Sequence, residues 1–523
     1  MENPLILAFD VGTQNVRAML IDNHGNVEDI EKITYDSPYY SKETGWAEQS
    51  CDYYWDNMCH ASRVLRSRNE QAYASRLIGV TLTAIRDTIV CVDKKYEPLR
   101  DAILWVDNRQ TEYDRDFPLF LRLIYKITGM YKTACAQRAS SACNWIMNHE
   151  SELWKKTHKL MMLPGYLTCR LTGNPADSTA NMIGHIPFDA RTFDWMKKGD
   201  IKRKVFDIPN SKLVDLVDPG SLLGGITGEA SLDTGIPEGM PVYATGSDKG
   251  CETLGLSVTS MEKASLSFGT TATVQMTTRD YIEPQRFIPP FPAVIKGFVN
   301  PEVEINRGYW LVNWFLKEFA EDKIEEAKEK GVDPEDILNS QLNDVPPGSG
   351  GLISQPYFTP GLNNPLAKGA VIGFSDDVTK AHLYRSIIEG INFALIEGLK
   401  SIEKSANVKV TELYAAGGGS KSDEILQITA DMFGRPVKRI QTSEAAGLGA
   451  AMIGFNAAGV FESIEDAVEK MVHIKDTFEP DEKVHEIYEA LYSGVFVKIL
   501  GRLTPLYQKE KELERRFMPG EGK

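Results

Sequence analysis

The sequence contains few cysteines, and none of them stand in a paired arrangement. Seven cysteines are scattered along 523 residues without a Cys-x-x-Cys spacing. An odd number of cysteines without that spacing argues against a disulfide framework or a zinc site and favours reduced thiols. We therefore expect a cytoplasmic protein. Cys251, which lies beside a candidate site, is interpreted as a packing residue and not as a nucleophile.

Long apolar runs and an excess of basic residues are also missing. No apolar run approaches the roughly 18 residues that span a membrane, and the first ten residues lack the basic segment of a signal peptide. Acidic residues outnumber basic ones by 73 to 58, which gives a net charge of -15. A chain of this charge offers no basic stripe for a phosphate backbone. We expect neither a membrane nor a nucleic acid as a partner.

A dinucleotide oxidoreductase is poorly supported, because no G-x-G-x-x-G follows an early strand. The sequence instead contains a strand-turn-strand pattern that occurs twice. The first copy runs from Leu5 to Asp22 around Gly12-Thr13, and a partial second copy runs from Ala264 to Val274 around Gly269-Thr270. Backbone N–H and hydroxyl groups in such turns can surround an anion. Two copies predict a duplicated fold that holds one ligand.

The length and the order of the patterns predict two mixed α/β domains. A chain of 523 residues with 42% hydrophobic content favours at least two domains, and strand and helix patterns alternate along it. The second copy of the turn begins just after residues 253–262, so we place the domains at residues 1–256 and 257–523. The helical patterns cover residues 53–66, 140–149, 162–171, 317–330, 382–403 and 484–517.

A third glycine turn, Gly417-Gly418-Gly419-Ser420, follows a predicted strand and precedes a predicted helix. Small residues at this position allow a nucleotide to approach the backbone and a helix N-terminus. A further helix beginning after Glu444 consists of small residues, and we assign it to close helix packing and not to substrate contact.

Four further segments are each typical of one known family. They are Asp10-Val11-Gly12-Thr13 with Arg17; Gly45-Trp46-Ala47-Glu48-Gln49; Ala102-Ile103-Leu104-Trp105-Val106-Asp107-Asn108-Arg109; and Gly369-Ala370-Val371-Ile372-Gly373-Phe374 followed by His382-Leu383-Tyr384-Arg385-Ser386-Ile387-Ile388-Glu389-Gly390. In this order the segments resemble the FGGY carbohydrate kinases of the actin-like ATPase superfamily, with only Phe374 off the pattern. The resemblance covers nearly the whole chain.

The resemblance implies two ribonuclease-H-like domains with ATP in the cleft between them, and ATP-dependent phosphorylation of a hydroxyl group on a small sugar or polyol. It makes Asp248 the catalytic acid, which accepts the hydroxyl proton and aims the oxygen at the γ-phosphorus. It makes Asp10 the residue that holds Mg²⁺ through water, consistent with the preference of this ion for carboxylates and substrate phosphates.

The resemblance also implies which residues contact the nucleotide. The phosphates are expected at Thr13, Gln14 and Arg17 of the first turn and at Gly269 and Thr270 of the second. The nucleoside is expected near Gly418 and Gly419, with further candidate contacts at Gly308 and at Asp423, where some relatives carry Asn.

For the acceptor, the resemblance points to the turn at Arg86 and Asp87 and to Trp105. Arg86 and Asp87 offer donors and an acceptor for neighbouring hydroxyls, and they are more similar to the Arg-Glu pair of glycerol kinases than to the Met-His pair of xylulose kinases. The alternative is that the two residues form only a salt bridge. Ala142 stands where the family has a lysine.

Lys249 is the least decided of the expected substrate residues. It could bind a substrate carboxylate or the transferring phosphoryl group, or it could pair with Asp248. The acceptor therefore stays open among ketopentoses, polyols and linear sugars of the autoinducer type, with a pentulose such as xylulose favoured. A homodimer is a candidate assembly.

Two alternatives keep the fold without the sugar chemistry. One is an actin-like or chaperone-like ATP switch, and the other is an inactive sensor that binds nucleotide. Both are disfavoured because Arg86, Asp87 and Asp248 form a plausible set of groups for binding hydroxyls.

Overall fold

The computed structural model describes residues 3–112, 117–285, 287–359, 361 and 365–517. Its first half is built on a six-stranded mixed sheet. The strands are β1 (Leu5–Val11), β2 (Asn15–Asp22), β3 (Val27–Thr34), β4 (Leu77–Ala84), β5 (Leu222–Gly225) and β6 (Pro241–Tyr243). Their spatial order is β3-β2-β1-β4-β6-β5, with β1, β4 and β6 parallel and the other pairings antiparallel.

The second half repeats this sheet. Its strands are β7 (Lys263–Phe268), β8 (Ala272–Gln275), β9 (Glu302–Ile305), β10 (Glu412–Ala416), β11 (Val437–Ile440) and β12 (Ile474–Phe478). Their spatial order is β9-β8-β7-β10-β11-β12, with β7, β10 and β11 parallel and the other pairings antiparallel. The two sheets therefore share one pattern of directions, and the predicted duplication is confirmed.

Burial explains why these residues form these strands. All seven residues of β1 are buried, as expected for a central strand that is covered on both faces. In the edge strand β3, exposed and half-buried residues replace the buried ones. The tight turns predicted between β1 and β2 and between β7 and β8 span residues 12–14 and 269–271.

Seven helices flank the two sheets or position the site. They are α1 (Cys51–Arg68), α2 (Leu163–Thr172), α3 (Asp248–Gly255), α4 (Trp310–Phe319), α5 (Lys380–Ala406), α6 (Asp423–Phe433) and α7 (Ala445–Ala457). The other α-helices cover Glu70–Ser75, Leu119–Ile127, Tyr131–Ser140, Ala142–His149, Ser151–Lys156, Gly228–Thr234, Glu321–Lys330, Pro334–Asn339, Ile464–Met471, Glu482–Leu491 and Val497–Phe517.

The remaining strands form smaller sheets around the first sheet and beside the second. A four-stranded antiparallel sheet has the order Glu48–Gln49, Ala102–Ile103, Ile89–Val92, Lys159–Met162. The two-stranded pairs are Asp177–Ser178 with Leu216–Val217, Phe188–Asp189 with Asp194–Trp195, Phe291–Pro292 with Val299–Asn300, and Ile353–Gln355 with Ala370–Ile372. Among the helices of the described residues, none is both long enough and apolar enough to cross a membrane.

The two halves of the chain share a hydrophobic core through α7. This cluster joins residues of β1 and β2 to the buried face of α7 and to α3. Glycines allow the close approach, because a Cβ on Gly449 of α7 would lie 1.9 Å from the carbonyl oxygen of Cys251, and one on Gly255 would lie 1.9 Å from that of Ala445. The predicted packing role of this small-residue helix is confirmed.

Three predicted helices differ in detail from those observed. The charged segment 317–330 is two helices that meet at Ala320. The helix predicted from residue 140 begins at Ala142, because Ser141 caps it by accepting a hydrogen bond from the Asn144 amide. The tail helix contains a π-helical turn, Tyr492–Phe496, between Glu482–Leu491 and Val497–Phe517.

Candidate active site

The first turn brings two charged side chains together across neighbouring strands. Asp10 in β1 lies directly opposite Arg17 in β2, and the Arg17 Nη1 donates to the Asp10 Oδ2 at 2.7 Å. The Nε atom of Arg17 lies 3.2 Å from a carboxylate oxygen of Glu444, which immediately precedes α7. Arg17 therefore links the first half of the chain to the second.

A hydrogen bond within the backbone closes the first turn. The Gly12 amide donates to the Asn15 carbonyl at 2.9 Å. Trp105 approaches from a neighbouring loop, and its indole N–H donates to the Thr13 hydroxyl oxygen at 2.9 Å. Gln14 is exposed at the tip. Thr13 and Trp105, predicted to contact different ligands, are thus neighbours.

Asp10 lies among other carboxylates. Burial raises the pKa of Asp10 to about 6, Arg17 opposes this shift, and the negative charges of Asp248 and Glu444 reinforce it. Neighbouring carboxylates repel one another, and a divalent cation between them offsets that repulsion. These oxygen donors therefore suit a divalent cation. No cluster of three or more His, Cys, Asp or Glu residues in the described ranges could hold a metal unaided. The fit is therefore to an ion held largely by phosphates and water.

Asp248 is the first residue of α3 and follows the parallel strand β6. The Ser247 hydroxyl caps this helix by accepting from the Gly250 amide. The Asp248 Oδ1 accepts from the backbone amide of Lys249 at 2.8 Å. Burial raises the pKa of Asp248, while the charges of Lys249 and Arg86 oppose the shift.

The side chain of Lys249 points towards the second half of the chain. Its ammonium donates to the Ser267 hydroxyl near the end of β7 and to the Glu252 carboxylate at 3.2 Å. No ion pair joins it to the side chain of Asp248 within the described residues. Of the three predicted roles for Lys249, the simple pairing with Asp248 is wrong. Cys251, two residues further on, is fully buried, and burial raises its thiol pKa to about 12.

The second turn is supported from behind by the start of α4. Gly269 is half-buried and Thr270 is exposed. Their carbonyl oxygens accept from the amides of the two residues after Gly308, at 2.9 and 3.3 Å. A Cβ on Gly308 would lie 2.3 Å from the Ala272 backbone nitrogen. Packing against this turn therefore accounts for the glycine at position 308.

The third turn lies against the second. Gly417 has φ +86°, and a Cβ on it would lie 2.7 Å from the backbone of Phe268. A Cβ on Gly419 would collide with the ring of Tyr309 at 2.4 Å, whereas Gly418 is exposed and has no such neighbour closer than 4.0 Å. Of the two glycines predicted to face the nucleoside, only Gly418 is open to a ligand.

Asp423 begins α6 beside this turn. Ser422 caps the helix, and the Asp423 carboxylate accepts from Arg439 at 2.7 Å while its side chain remains 70% exposed. Arg439 also binds Asp476. The ion pair with Arg439 gives Asp423 a structural role that the sequence did not indicate.

Arg86 bridges the two halves of the chain. Its guanidinium makes a two-point contact with the Glu302 carboxylate of β9, one bond measuring 3.1 Å, and lies 3.5 Å from Glu304. Gln275 donates to Glu302 at 2.9 Å, and the Arg86 guanidinium stacks on the Phe291 ring at 4.7 Å. Glu302 is buried, whereas a third of the Glu304 side chain is exposed.

Asp87 has a different partner from Arg86. Its Oδ2 lies 2.8 Å from the Nδ1 of His185, and its Oδ1 accepts from the backbone amide of the same residue. Burial acts to raise the pKa of Asp87, but His185 outweighs it and the net shift is downwards. The described residues contain no ion pair between Arg86 and Asp87, so the alternative of an isolated salt bridge between them is wrong.

Several polar and charged neighbours of these residues were not identified from the sequence. The acids Glu302 and Glu304 alternate with Val303 and Ile305, which is typical of a strand with one polar face, and that pattern could have pointed to them. Glu252 follows Lys249 by three residues in α3, so helical spacing could also have pointed to it. Nothing local distinguishes His185, Ser267 and Glu444, because only the folding of the chain brings them to the site.

Taken together, the structure brings the first turn, Asp248, Lys249 and the second turn to one cleft, with the third turn behind the second. The electrostatic influence of Asp248 on Asp10 and of Arg86 on Lys249 follows from this proximity. Asp423 and Gly308 stand at its margin and serve packing and ion pairing.

Comparisons with known proteins agree with this arrangement. Models of the N-terminal and C-terminal domains of the FGGY family of carbohydrate kinases match residues 5–255 and 264–458. An uncharacterized sugar kinase, YgcE of Escherichia coli (strain K12), is 29% identical over 98% of this chain and 96% of its own. The xylulose kinase of Staphylococcus epidermidis (strain ATCC 12228 / FDA PCI 1200) is 27% identical over 94% of this chain and 96% of its own.

A solved structure shows the same fold. The crystal structure of gluconate kinase from Lactobacillus acidophilus has a TM-score of 0.81 and 21% identity, and covers 97% of this chain and 100% of its own. The chain has the two-domain fold of the actin-like ATPases and is an ATP-dependent phosphotransferase. These matches argue against the two alternatives without sugar chemistry. The chain belongs to the FGGY family of carbohydrate kinases.

Proposed function

We propose that this kinase phosphorylates a hydroxyl group of a small, uncharged sugar or polyol, with a pentulose such as xylulose as the leading candidate. The observation that carries the proposal is the position of Asp248. Its carboxylate stands at the start of α3, beside Arg86 of the acceptor turn and Lys249, which reaches towards the second Gly-Thr turn.

Asp248 acts as the proton acceptor in this proposal. The acceptor oxygen forms a bond to the γ-phosphorus while the bond from that phosphorus to the bridging β–γ oxygen breaks. The hydroxyl proton passes to the Asp248 carboxylate, and ADP leaves with the electron pair of the broken bond. The raised pKa of Asp248 makes it a better proton acceptor than an exposed aspartate.

The nucleotide is assigned to the three turns. Thr13, Gln14 and Arg17 contact its phosphates from the first turn, and Gly269 and Thr270 from the second. Gly418, the exposed glycine of the third turn, lines the nucleoside side, and Gly419 packs against Tyr309 behind it. Gly308 supports the second turn from behind, and Asp423 lies beside the third.

We assign Mg²⁺ to Asp10, because the carboxylate lies next to Arg17 and within reach of Asp248 and Glu444. Bound there together with the nucleotide, the ion neutralises phosphate charge that would otherwise oppose transfer.

The acceptor is assigned to the space around Arg86, Asp87 and Trp105. The basic groups of this space are already paired with acids. Glu302 and Glu304 contact the Arg86 guanidinium, and Asp87 pairs with His185, so acids dominate the charge. A sugar carboxylate placed there would face like charges. The names of the relatives include both xylulose and gluconate kinases, and the charge of the site favours the neutral class.

A coupled ADP-release screen tests the proposal. Purified protein with Mg-ATP is offered pentuloses, hexuloses, polyols and sugar acids, and phosphorylated product is identified by mass spectrometry. Asp248→Asn is expected to lower kcat about 10³-fold, within the range for loss of a general base. Glu229→Gln, which changes an acid in the first turn of Gly228–Thr234, is the matched control. Absence of any phosphorylated acceptor, or full activity of Asp248→Asn, contradicts the proposal.

Three further assignments stay proposals. They are the division into domains at residues 1–256 and 257–523, a homodimeric assembly, and a cytoplasmic location. Light scattering on the eluting protein tests the dimer, limited proteolysis tests the division near residue 256, and fractionation of the source cells tests the location.

A further inference from the structure

Lys249 occupies a position that the assigned roles of its neighbours do not explain. It follows Asp248 in the first turn of α3, yet its side chain extends to a residue in the second half of the chain. Its ammonium donates to Ser267, two residues before Gly269. A Cβ placed on Gly269 would lie 3.9 Å from the Lys249 Nζ. The ammonium therefore stands between the catalytic carboxylate and the second phosphate turn.

The ammonium is fixed in place and still has a donor to offer. Lysine carries three N–H donors, and in the described part of the chain the Ser267 hydroxyl and the Glu252 carboxylate occupy two of them. Burial alone lowers the pKa of Lys249, but Glu252 and Asp248 outweigh it and the net shift is upwards. The side chain is thus a charged, anchored cation with only 17% of its surface exposed.

We propose that Lys249 is a catalytic residue whose ammonium contacts the phosphoryl group while it passes from ADP to the acceptor oxygen. The proposal rests on the function proposed above and assigns no other bond change. The acceptor oxygen bonds to the γ-phosphorus, the bond to the bridging β–γ oxygen breaks, the hydroxyl proton goes to Asp248, and ADP departs. Lys249 neutralises charge on the phosphoryl oxygens and keeps its own protons.

This position argues against the remaining role, binding of a substrate carboxylate. The residues assigned to the acceptor are Arg86, Asp87 and Trp105, and the acids beside Arg86 lie on β9. Lys249 lies within electrostatic reach of Arg86 and Glu304, but its ammonium donates its hydrogen bonds to Ser267 of β7, next to the phosphate turn, and to Glu252 of its own helix. A preorganised donor directed at charge that grows in the transition state affects kcat more than substrate binding.

The test compares Lys249→Gln and Lys249→Arg with the wild type on the best neutral acceptor found by the screen. Lys249→Gln is expected to lower kcat about 100-fold, the typical loss of one transition-state donor, with the KM of the acceptor changed less than about threefold. Lys249→Arg keeps the charge and recovers part of kcat. Lys263→Gln is the matched control. Lys263 is the first residue of β7, the strand that Lys249 contacts, and its ammonium also donates to a serine hydroxyl, that of Ser257, at 3.0 Å.

A binding measurement separates the proposal from a structural role. Affinities for ADP alone and for ADP with aluminium fluoride, a mimic of the transferring phosphoryl group, are measured by calorimetry with Mg²⁺, with and without acceptor. Lys249→Gln is expected to weaken the binding of the fluoride complex at least about 30-fold, as for loss of a donor to the transition state, and to leave the affinity for ADP within about threefold. Thermal unfolding midpoints show that both variants are folded.

Three results would overturn the proposal. The first is a kcat of Lys249→Gln close to that of the wild type, and the second is an unchanged affinity for ADP with aluminium fluoride. The third is equal weakening of the affinities for ADP and for the fluoride complex, which would assign Lys249 to the shape of the nucleotide site. If the wild type phosphorylates no acceptor, the proposed function fails, while the binding comparison still decides the role of Lys249.

Discussion

At the scale of single residues, the acceptor side of the cleft is defined by the partners of Arg86. A guanidinium in this turn was predicted to present a free fork of donors to sugar hydroxyls. In the structure Glu302 takes two of those donors and Glu304 lies 3.5 Å away. Glu304 is partly exposed and within electrostatic reach of Asp248 and Lys249. The charge that an acceptor meets is therefore set as much by Glu304 as by Arg86.

Replacing Glu304 by Gln is expected to relax the selection against sugar acids. Removal of one like charge is expected to raise kcat/KM for gluconate relative to the neutral acceptor about tenfold, which corresponds to about 1.4 kcal/mol. Added salt is expected to narrow the wild-type preference and to have little effect on the variant. Competition assays with paired acceptors measure the ratio. Glu412→Gln, in β10 of the same sheet and paired with Lys438, is the control. A wild type that uses gluconate as efficiently as a pentulose would show that Glu304 does not select by charge.

At the scale of elements, the position of Asp248 depends on how α3 packs against α7. The contact relies on glycines at both helices, since added Cβ atoms at Gly255 and Gly449 would each lie 1.9 Å from a carbonyl oxygen of the other helix. Backbone atoms cannot move aside as the end of a flexible side chain can. The small residues of α7 thus determine how closely the second half of the chain approaches the catalytic helix.

Gly449→Ala is expected to destabilise the protein by about 1–3 kcal/mol, the usual cost of overpacking, and to lower kcat because α3 must shift. Urea unfolding measures the first effect and the ADP-release assay the second. Gly501→Ala is the matched control, because Gly501 lies in the helix Val497–Phe517 and an added Cβ meets no atom within 4 Å. At position 501 the change is expected to stabilise the protein by about 0.5–1 kcal/mol, which is the difference in helix propensity between Gly and Ala. Equal behaviour of the two variants would show that α3 and α7 tolerate a wider spacing.

The short strand Asp177–Ser178 adds a buried acid next to Thr245, which lies three residues before Asp248. The Ser178 hydroxyl donates to the carbonyl of Thr245, and Asn181 donates to the Asp177 Oδ1 at 2.7 Å. Burial raises the pKa of Asp177 to about 7, although Asn181 and the Ser178 amide oppose the shift. Because the folded pKa lies above the unfolded one, the stability from this group is complete below about pH 4 and is lost as the pH rises through 7.

The unfolding free energy is therefore expected to fall between pH 5 and pH 8 by about 3 kcal/mol more in the wild type than in Asp177→Asn. Urea unfolding of both proteins at the two pH values measures the difference. Subtracting the variant's pH dependence from that of the wild type cancels the contributions of the other titrating groups, which the two proteins share. Parallel pH dependences of wild type and variant would mean that Asp177 is ionised in the folded protein at pH 5.

At the scale of the whole molecule, the parts predicted from the sequence are those encoded locally. The two strand-turn-strand copies were recognised because apolar runs and a Gly-Thr turn lie within a few residues of one another, and both sheets grow from them. The contacts of Arg86 with Glu302 were not predicted, since 216 residues separate the two and no local pattern relates them. The pairing of Asp87 with His185 and the contact of Lys249 with Ser267 were missed for the same reason.

The bridge between Arg86 and Glu302 joins the acceptor turn of the first half to β9 of the second, so we expect it to couple the binding of acceptor and nucleotide. Glu302→Gln removes the charge but keeps an oxygen for the hydrogen bond from Gln275. If the non-hydrolysable analogue AMP-PNP tightens acceptor binding in the wild type, the variant should lose about five- to tenfold of that effect, a usual size for coupling between two sites.

Calorimetric titration of the acceptor with and without AMP-PNP measures the coupling factor, and the reverse titration must give the same value because the coupling is reciprocal. Glu412→Gln again serves as the control in the same sheet. An unchanged coupling factor in Glu302→Gln would mean that the halves communicate through the hydrophobic core around α7. In that case Gly449→Ala, and not the loss of the ion pair, should lower the coupling factor between acceptor binding and nucleotide binding.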